Sequence, residues 1–358
     1  MTEVTVSPVI APDSLDSPEA ADFVAMAEVF NTAMEQDLGL DHLKWIPAEE
    51  LPVWQETTYQ HRRGYLARVN GRAAGALQVM IPQEEGATEL EFDLLALPEF
   101  RGRGVEEALL EPLLDEARRN KRSDVQTYTL HRLDTPHDRM SPASGFGTVP
   151  VDEHTVFFRD HGFTLEQVER NSAFDLSAPM DAVQTLLDEN LAVAGPDYRV
   201  VAWTAPTPER WREGSAFVRS RMSTDVPTGG VVWTEEHWDA ERVVTRDRRN
   251  ADAGLTVSVA AVEHVPSGQL VAYSELVLGQ DRTRPSEQWG TLVVREHRGH
   301  RLGMIVKCAN LLRWREVAPD SPFVTTFNAE ENRPMLDVNE RIGFTPLTVA
   351  GAWKRVLA

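Results

Sequence analysis

Two stretches of this chain echo each other at a fixed spacing, so its fold must build the same supersecondary unit twice. The segment VNGRAAGALQVM, followed by LLALPEFRGRG, has a counterpart in VPSGQLVAYSEL, followed by LVVREHRGH. Gly71 pairs with Gly268 and Arg101 with Arg298, both 197 positions apart with no gap between them. Farther on, HGF at His161–Phe163 echoes IGF at Ile342–Phe344, now 181 positions apart. The first copy therefore holds an insertion, and His131–Pro150, rich in Pro, Gly and Ser, is its natural place. A length of 358 residues suits two domains, expected at residues 1–178 and 179–358.

Each copy predicts the same order of elements. In the first, an amphipathic stretch from Ser17 to Leu38 precedes the strand YLARV, an Asn70-Gly71 hairpin turn and strands near Arg72–Met80 and Thr88–Leu97. A helix then runs to Arg119, with a kink expected at Pro112, and VQTYTL follows as a strand. In the second, TVSVAAVEH, a Pro-Ser-Gly turn, LVAYSELVL, SEQWGTLVV, a helix near Leu302–Glu316 and FVTTFNA repeat that order. Leu302, Ile305, Val306, Ala309 and Leu312 give this second helix one apolar face. MDAVQTLLDENLAVA reads as a helix linking the copies. The expected class is α/β (α+β), each domain a mixed, mainly antiparallel sheet flanked by helices.

Composition narrows the partners. The formal net charge of −20 argues against a nucleic-acid binder and favours a cationic substrate. No apolar run is long enough to span a membrane, and MTEVTVSPVI lacks the pattern of a signal peptide. The single cysteine, Cys308, fits a reducing cytoplasm and sits in an apolar helical pattern that implies core packing. His297 and His300 lack the paired spacing of a metal site, so no metal is expected.

The feature with chemical content is a basic, glycine-containing loop between a strand and a helix, present in both copies. It reads Arg101-Gly102-Arg103-Gly104-Val105-Glu106 and Arg298-Gly299-His300-Arg301-Leu302-Gly303. A helix start leaves backbone N–H groups without partners and carries partial positive charge, while glycines let an anion approach the main chain. A diphosphate is the expected guest.

These loops resemble the [QR]-x-x-G-x-[GA] loop of the GNAT acyltransferases, and the resemblance covers both halves of the chain. Leu97–Gly104 matches well, but Glu106 takes the final small-residue position; in the second loop Gly303 keeps that position and Arg301 replaces the middle glycine. The tandem arrangement is similar to that of mycothiol synthase. The resemblance implies acetyl-CoA as co-substrate, its diphosphate on the loop amides and its pantetheine arm between two splayed parallel strands. In the second copy the implied cofactor contacts are Leu292, Val293, Val294, Arg298, Gly299, His300, Arg301, Leu302, Gly303, Met304, Asn328 and Asn332; in the first they are Arg101, Gly102, Arg103 and Gly104.

The second copy is the expected cofactor site, because Glu106 would set a carboxylate near the diphosphate. The family's usual base, six residues before Leu97 or Val294, falls on Glu91 in the first copy and Gln288 in the second. Glu287, one residue off register, is the substitute, with Glu275 on the preceding strand as another; a bulge could change the facing of the strand. The family's tyrosine acid is replaced by Phe158 and Asn339. The implied activity is N-acetylation of a small-molecule primary amine in the cytoplasm by a monomer or homodimer. The alternatives are an active first copy with Glu91 as base, or an acyl-CoA binder without turnover.

Overall fold

The computed structural model describes residues 3–357. They form two compact units that are not contiguous in sequence: one holds the residues up to Glu169 with Thr228–Thr234 and Thr348 onward, the other holds Arg170–Pro227 and Glu235–Leu347.

Unit 1 contains β1 (Val4–Val9), α1 (Ala20–Leu38), α2 (Pro47–Gln55), β2 (Gln60–Val69), β3 (Arg72–Pro82), β4 (Glu89–Ala96), α3 (Val105–Arg119), β5 (Asp124–Arg132), the short pair β6 (Arg139–Met140) and β7 (Val149–Pro150), α4 (Glu153–Asp160) and the first half of β8 (Thr164–Asp175). The insertion thus folds as a small hairpin, β6 with β7. Sheet neighbours run β1-β2-β3-β4-β5, all antiparallel except β4 with β5. The parallel pairing lasts only from Glu89↔Asp124 to Phe92↔Thr127, after which the two strands part.

Helices cover both faces of this sheet. A Cβ at Gly64 would meet Trp54 and Met26 of the α1–α2 side, while one at Gly75 would meet Val105 and Leu109 of α3. α3 continues through Pro112, and its apolar face, with Leu109 and Leu113 fully buried, holds it to the sheet.

Unit 2 contains the rest of β8, α5 (Asp181–Ala194), β9 (Tyr198–Thr204), α6 (Arg212–Ser220), α7 (Met222–Asp225), α8 (Ala240–Asp252), β10 (Thr256–His264), β11 (Gln269–Leu278), β12 (Ser286–Val293), α9 (Leu302–Val317), β13 (Phe323–Ala329) and α10 (Arg333–Ile342). Its neighbours run β13-β12-β11-β10-β9, again antiparallel except β12 with β13. That parallel pair meets only at Ser286↔Val324 and Glu287↔Thr325 before splaying. The last strand, β14 (Thr345–Val356), pairs antiparallel with β5 from Thr348 and so completes unit 1.

The repeat is visible in individual bonds. Leu97 N–H donates to Ala74 O and Val294 N–H to Val271 O, each at 2.9 Å and at equivalent positions of the two copies. Cys308 is fully buried in the core of unit 2, where burial pushes its thiol up to about 12. Among the described residues no helix is long and apolar enough to cross a membrane.

Candidate functional site

In unit 2 the strand–loop–helix turn opens onto a cleft of about 780 Å³. Gly299 takes φ 89°, and Arg301, at the helix N-cap, takes φ 64°, the left-handed conformation that Gly104 holds with φ 86° in unit 1. A side chain in that region costs roughly 1–2 kcal/mol, so the turn keeps its shape at the expense of strain at Arg301. The first intrahelical bond of this terminus runs from Ile305 N–H to Arg301 O, which leaves the amides of Leu302, Gly303 and Met304 without helical acceptors. All three residues line the cleft.

The helix is held in place from behind. Asn310 donates to Ser258 O at 3.1 Å and Ser274 O at 2.9 Å, clamping α9 to β10 and β11.

The chemistry of the lining fits a phosphorylated ligand. Arg295, Arg298, Arg301 and Arg341 face the cleft. Thr291 Oγ1 also lies along it, buried and without a hydrogen-bond partner. A Cβ at Gly303 would meet only Val293 at 3.7 Å, so the protein itself does not need glycine there; the space left free borders the cleft.

Several expected contacts occupy other places. Val294 is 3% exposed and packs in the core. His300 lies against Tyr198, with ring centroids 5.0 Å apart. Asn328 accepts a hydrogen bond from Asn339 at 2.6 Å. Asn332 stands at the N-cap of α10 but makes no side-chain cap, and it lines the cleft. Sequence reasoning missed Asp225, which lies 3.7 Å from both Arg295 and Arg298 and whose carbonyl accepts from Arg298 at 2.8 Å. Nothing local to its sequence marks it; the contact joins α7 to a loop about seventy residues away.

In unit 1 the corresponding loop is filled by its own chain. Arg101 is 6% exposed in its side chain and forks onto Asp37 at 2.6 and 2.8 Å, with Glu153 as a second anion. Glu106 occupies the position equivalent to Gly303, and its Oε2 is buried without a hydrogen-bond partner. Burial raises this carboxyl, and the nearby main chain of its own loop opposes the rise. A built-in carboxyl thus stands at the head of this helix, where unit 2 has only glycine. Asp37, Glu153 and His154 are the one group of His and carboxylate atoms close enough to share a cation among the described residues, and Arg101 already supplies that cation. Gly102, Arg103 and Gly104 keep the turn, with both glycines at positive φ.

The strand carrying Glu287 is altered by a bulge. In unit 1 Met80 opposes Glu91 in an unbroken register. In unit 2 the pairing passes from Ser274↔Thr291 to Leu276↔Gln288 and Val277↔Glu287, so β12 holds one extra residue. Val277 is the counterpart of Met80, and the shift puts Glu287 where Glu91 stands. Gln288 turns inward and donates to Ser274 Oγ and Glu275 O. Gly290 lies in the bulge because a Cβ there would come within 2.5 Å of Tyr273 Oη.

Glu287 reaches solvent and accepts from Trp289 Nε1 at 3.2 Å; the protein packed around it raises its carboxyl above the ordinary range. Glu275 cannot substitute as a base. Two guanidiniums grip it, Arg219 at 2.5 and 2.8 Å and Arg246 at 3.0 and 3.1 Å, and hold its carboxyl down at about 2 against burial.

Phe158 is buried among Phe92, Phe163 and Trp353, and Asn339 is buried against Asn328, so neither can act as a tyrosine would.

This combination of splayed parallel strands and an anion-receptive helix head is found in known proteins. Residues 27–134 match the Acetyltransferase (GNAT) family profile. No curated protein matches the sequence. Among solved structures, a tandem GNAT protein from the clavulanic acid biosynthesis pathway, determined without AcCoA, is 22% identical with a TM-score of 0.71, covering 99% of this chain and 98% of its own. A GCN5-related N-acetyltransferase from Sphaerobacter thermophilus is 14% identical with a TM-score of 0.60, covering 99% and 95%. The chain has the tandem GNAT fold.

Proposed function

We propose that unit 2 binds acetyl-CoA and that the protein transfers the acetyl group to a primary amine of a small molecule. Acetyl-CoA supplies an acyl group already activated as a thioester. The chain's own work is to hold the diphosphate, align the amine and take up its proton.

The amides of Leu302, Gly303 and Met304, with Arg298 and Arg301, are assigned to the diphosphate. Thr291, Leu292 and Val293 border the opening between β12 and β13 where the pantetheine arm lies. Glu287 is assigned as general base. The bulge that moves it into the register of Glu91 is the observation carrying this reading. Its raised carboxyl also brings it closer to the pKa at which a base works best near neutrality. The thiolate that leaves is a weak base, so water suffices where the family has tyrosine.

The test is acetyl-CoA turnover against a panel of amines. Glu287→Gln should lower kcat by about 10²-fold or more while CoA affinity holds. Arg298→Ala should weaken CoA binding, and Arg101→Ala should not. Loss of turnover in Glu91→Gln but not Glu287→Gln would transfer the activity to unit 1. Tight CoA binding without thiol release for any amine would leave a non-catalytic binder.

A further inference from the structure

We propose that Lys307 is a proton-coupled counter-charge for the cleft of unit 2: it takes up a proton as the diphosphate of CoA binds, so that CoA affinity falls as pH rises above neutrality. The inference rests on the reading of that cleft as the CoA site. Lys307 lies on α9 four residues beyond Gly303, so the two share a helix face about 6 Å apart along the axis. Helix side chains lean toward the N-terminus, which brings Lys307 over the turn whose free amides border the cleft. Unit 1 carries Leu110 at the equivalent position, buried at 6% exposure, so the fold itself asks only for an apolar side chain there.

Lys307 is 1% exposed, and its Nζ stands 5.0 Å from the centroid of the Phe344 ring. It forms no ion pair or hydrogen bond with any described residue. Cys308 on the same helix is the titratable group whose charge acts on it, and Arg341 of α10 acts on Cys308 in turn. The elements α5, α10, β9, β10, β11 and β12 pack against α9, but their other charged groups are engaged or turned to solvent. Asp181, Asp188 and Glu189 of α5 are exposed. Glu263 of β10 holds Arg199 of β9, His264 of β10 meets Ser267, and Tyr198 of β9 meets His297. On β11, Glu275 and Tyr273 face Arg219; Glu287 of β12 accepts from Trp289, and Asp337 and Glu340 of α10 hold Arg333. An ammonium buried without a carboxylate gives up its proton readily, and burial pulls this one down to about 7.

Arg298, Arg301 and Arg341 line the cleft and oppose a further positive charge. A bound diphosphate reverses the sign of that field. At an effective dielectric of about 20, one phosphate charge about 10 Å away favours the ammonium roughly tenfold. The proton comes from solvent, and no bond to CoA forms. Linkage makes the effect reciprocal: the ligand that strengthens the lysine's hold on its proton binds the protonated form more tightly.

Calorimetry of CoA binding at pH 8 in Tris and in HEPES, whose ionisation enthalpies differ, counts the protons taken up. The unaltered protein should gain about half a proton or more per CoA. Its Kd should rise about tenfold more from pH 7 to pH 9 than that of Lys307→Leu, which should also lose the uptake at pH 8. If that variant fails to fold, the proton count and pH profile of the unaltered protein still decide. CoA binding with no proton uptake, or the same uptake in Lys307→Leu, would overturn the inference and leave the proposed function standing. No binding of CoA by the unaltered protein would overturn both.

Discussion

At Arg301 a cation and a strained backbone are the same residue. The left-handed φ of 64° is one that glycine adopts without penalty, and glycine stands there in the first copy. Arg301→Gly should therefore raise stability, by on the order of 1 kcal/mol after the greater freedom of glycine in the unfolded chain is counted. The same change removes a cleft-lining cation, so CoA affinity should fall; urea melts and calorimetry must move in opposite directions. Glu275 shows the reverse logic. Its carboxyl is held at about 2 against an ordinary 4.5, so its stabilisation is complete above about 4.5 and is lost as pH falls toward 2. Glu275→Gln leaves Arg219 and Arg246 buried without their anion and should cost about 3–5 kcal/mol in urea unfolding at neutral pH. Glu91 titrates in the other direction. Burial, with Asp93 and Glu89 beside it, pushes its carboxyl up to about 8. The folded chain keeps this proton between about 4.5 and 8 while the unfolded chain has lost it, so stability declines as pH rises through that window. Glu91→Gln should melt progressively higher than the unaltered protein from pH 5 to pH 8, and a constant difference would refute the assignment.

Among the elements, those with strong periodicity or turn chemistry were readable in the sequence. The strands flanking Asn70-Gly71, the helix at Leu302 and the linking helix α5 lie where pattern predicts them. The strand β1 and the helix α2 gave too little pattern, VTVSPV with its proline and PAEELPVWQ with an internal one, and they hold by packing in the core. The bulge in β12 was open as a possibility but not locatable, because it depends on Tyr273 of the neighbouring strand excluding any side chain at Gly290. Least legible was α7. Four residues, MSTD, carry no periodicity, yet they bring Asp225 to the two arginines of the loop. There, on the proposed function, the carboxylate stands in for an anion that a bound phosphate would displace. Both arginines are about half-exposed or more, so each pair is worth at most about 1 kcal/mol. Asp225→Asn should then tighten CoA by about fivefold or less, measured by calorimetry at low salt, and weaker binding would show that Asp225 orders the loop rather than competing for it.

For the whole molecule, sequence likeness and open space point to different copies. The GNAT profile matches residues 27–134, in unit 1, whose loop keeps both glycines of the turn. Yet Arg101 is spent on Asp37 and Glu153, and Glu106 sets a carboxyl where the second copy has Gly303. The second copy departs further from the pattern at Arg301 and opens onto a cleft of about 780 Å³. A motif records which residues are present; whether they are free depends on partners far along the chain, such as Asp37, which is 64 residues from Arg101. The same limit hid the exchange of Thr348 onward into unit 1, since pairing of β14 with β5 spans more than two hundred residues. The consequence is a stoichiometry. Two copies of the fold should bind one CoA, with calorimetry giving one equivalent per chain, unaffected by Arg101→Ala and abolished or strongly weakened by Arg298→Ala. At a hundredfold excess over Kd, CoA should stabilise the native state of the unit that binds it by about 2.7 kcal/mol. Glu106→Gly is the sharper arm of this experiment. Removing the resident carboxylate restores the small residue that Gly303 provides in unit 2, and a second, weaker equivalent of CoA should then appear. Two equivalents in the unaltered protein would show instead that phosphate displaces Glu106 on its own.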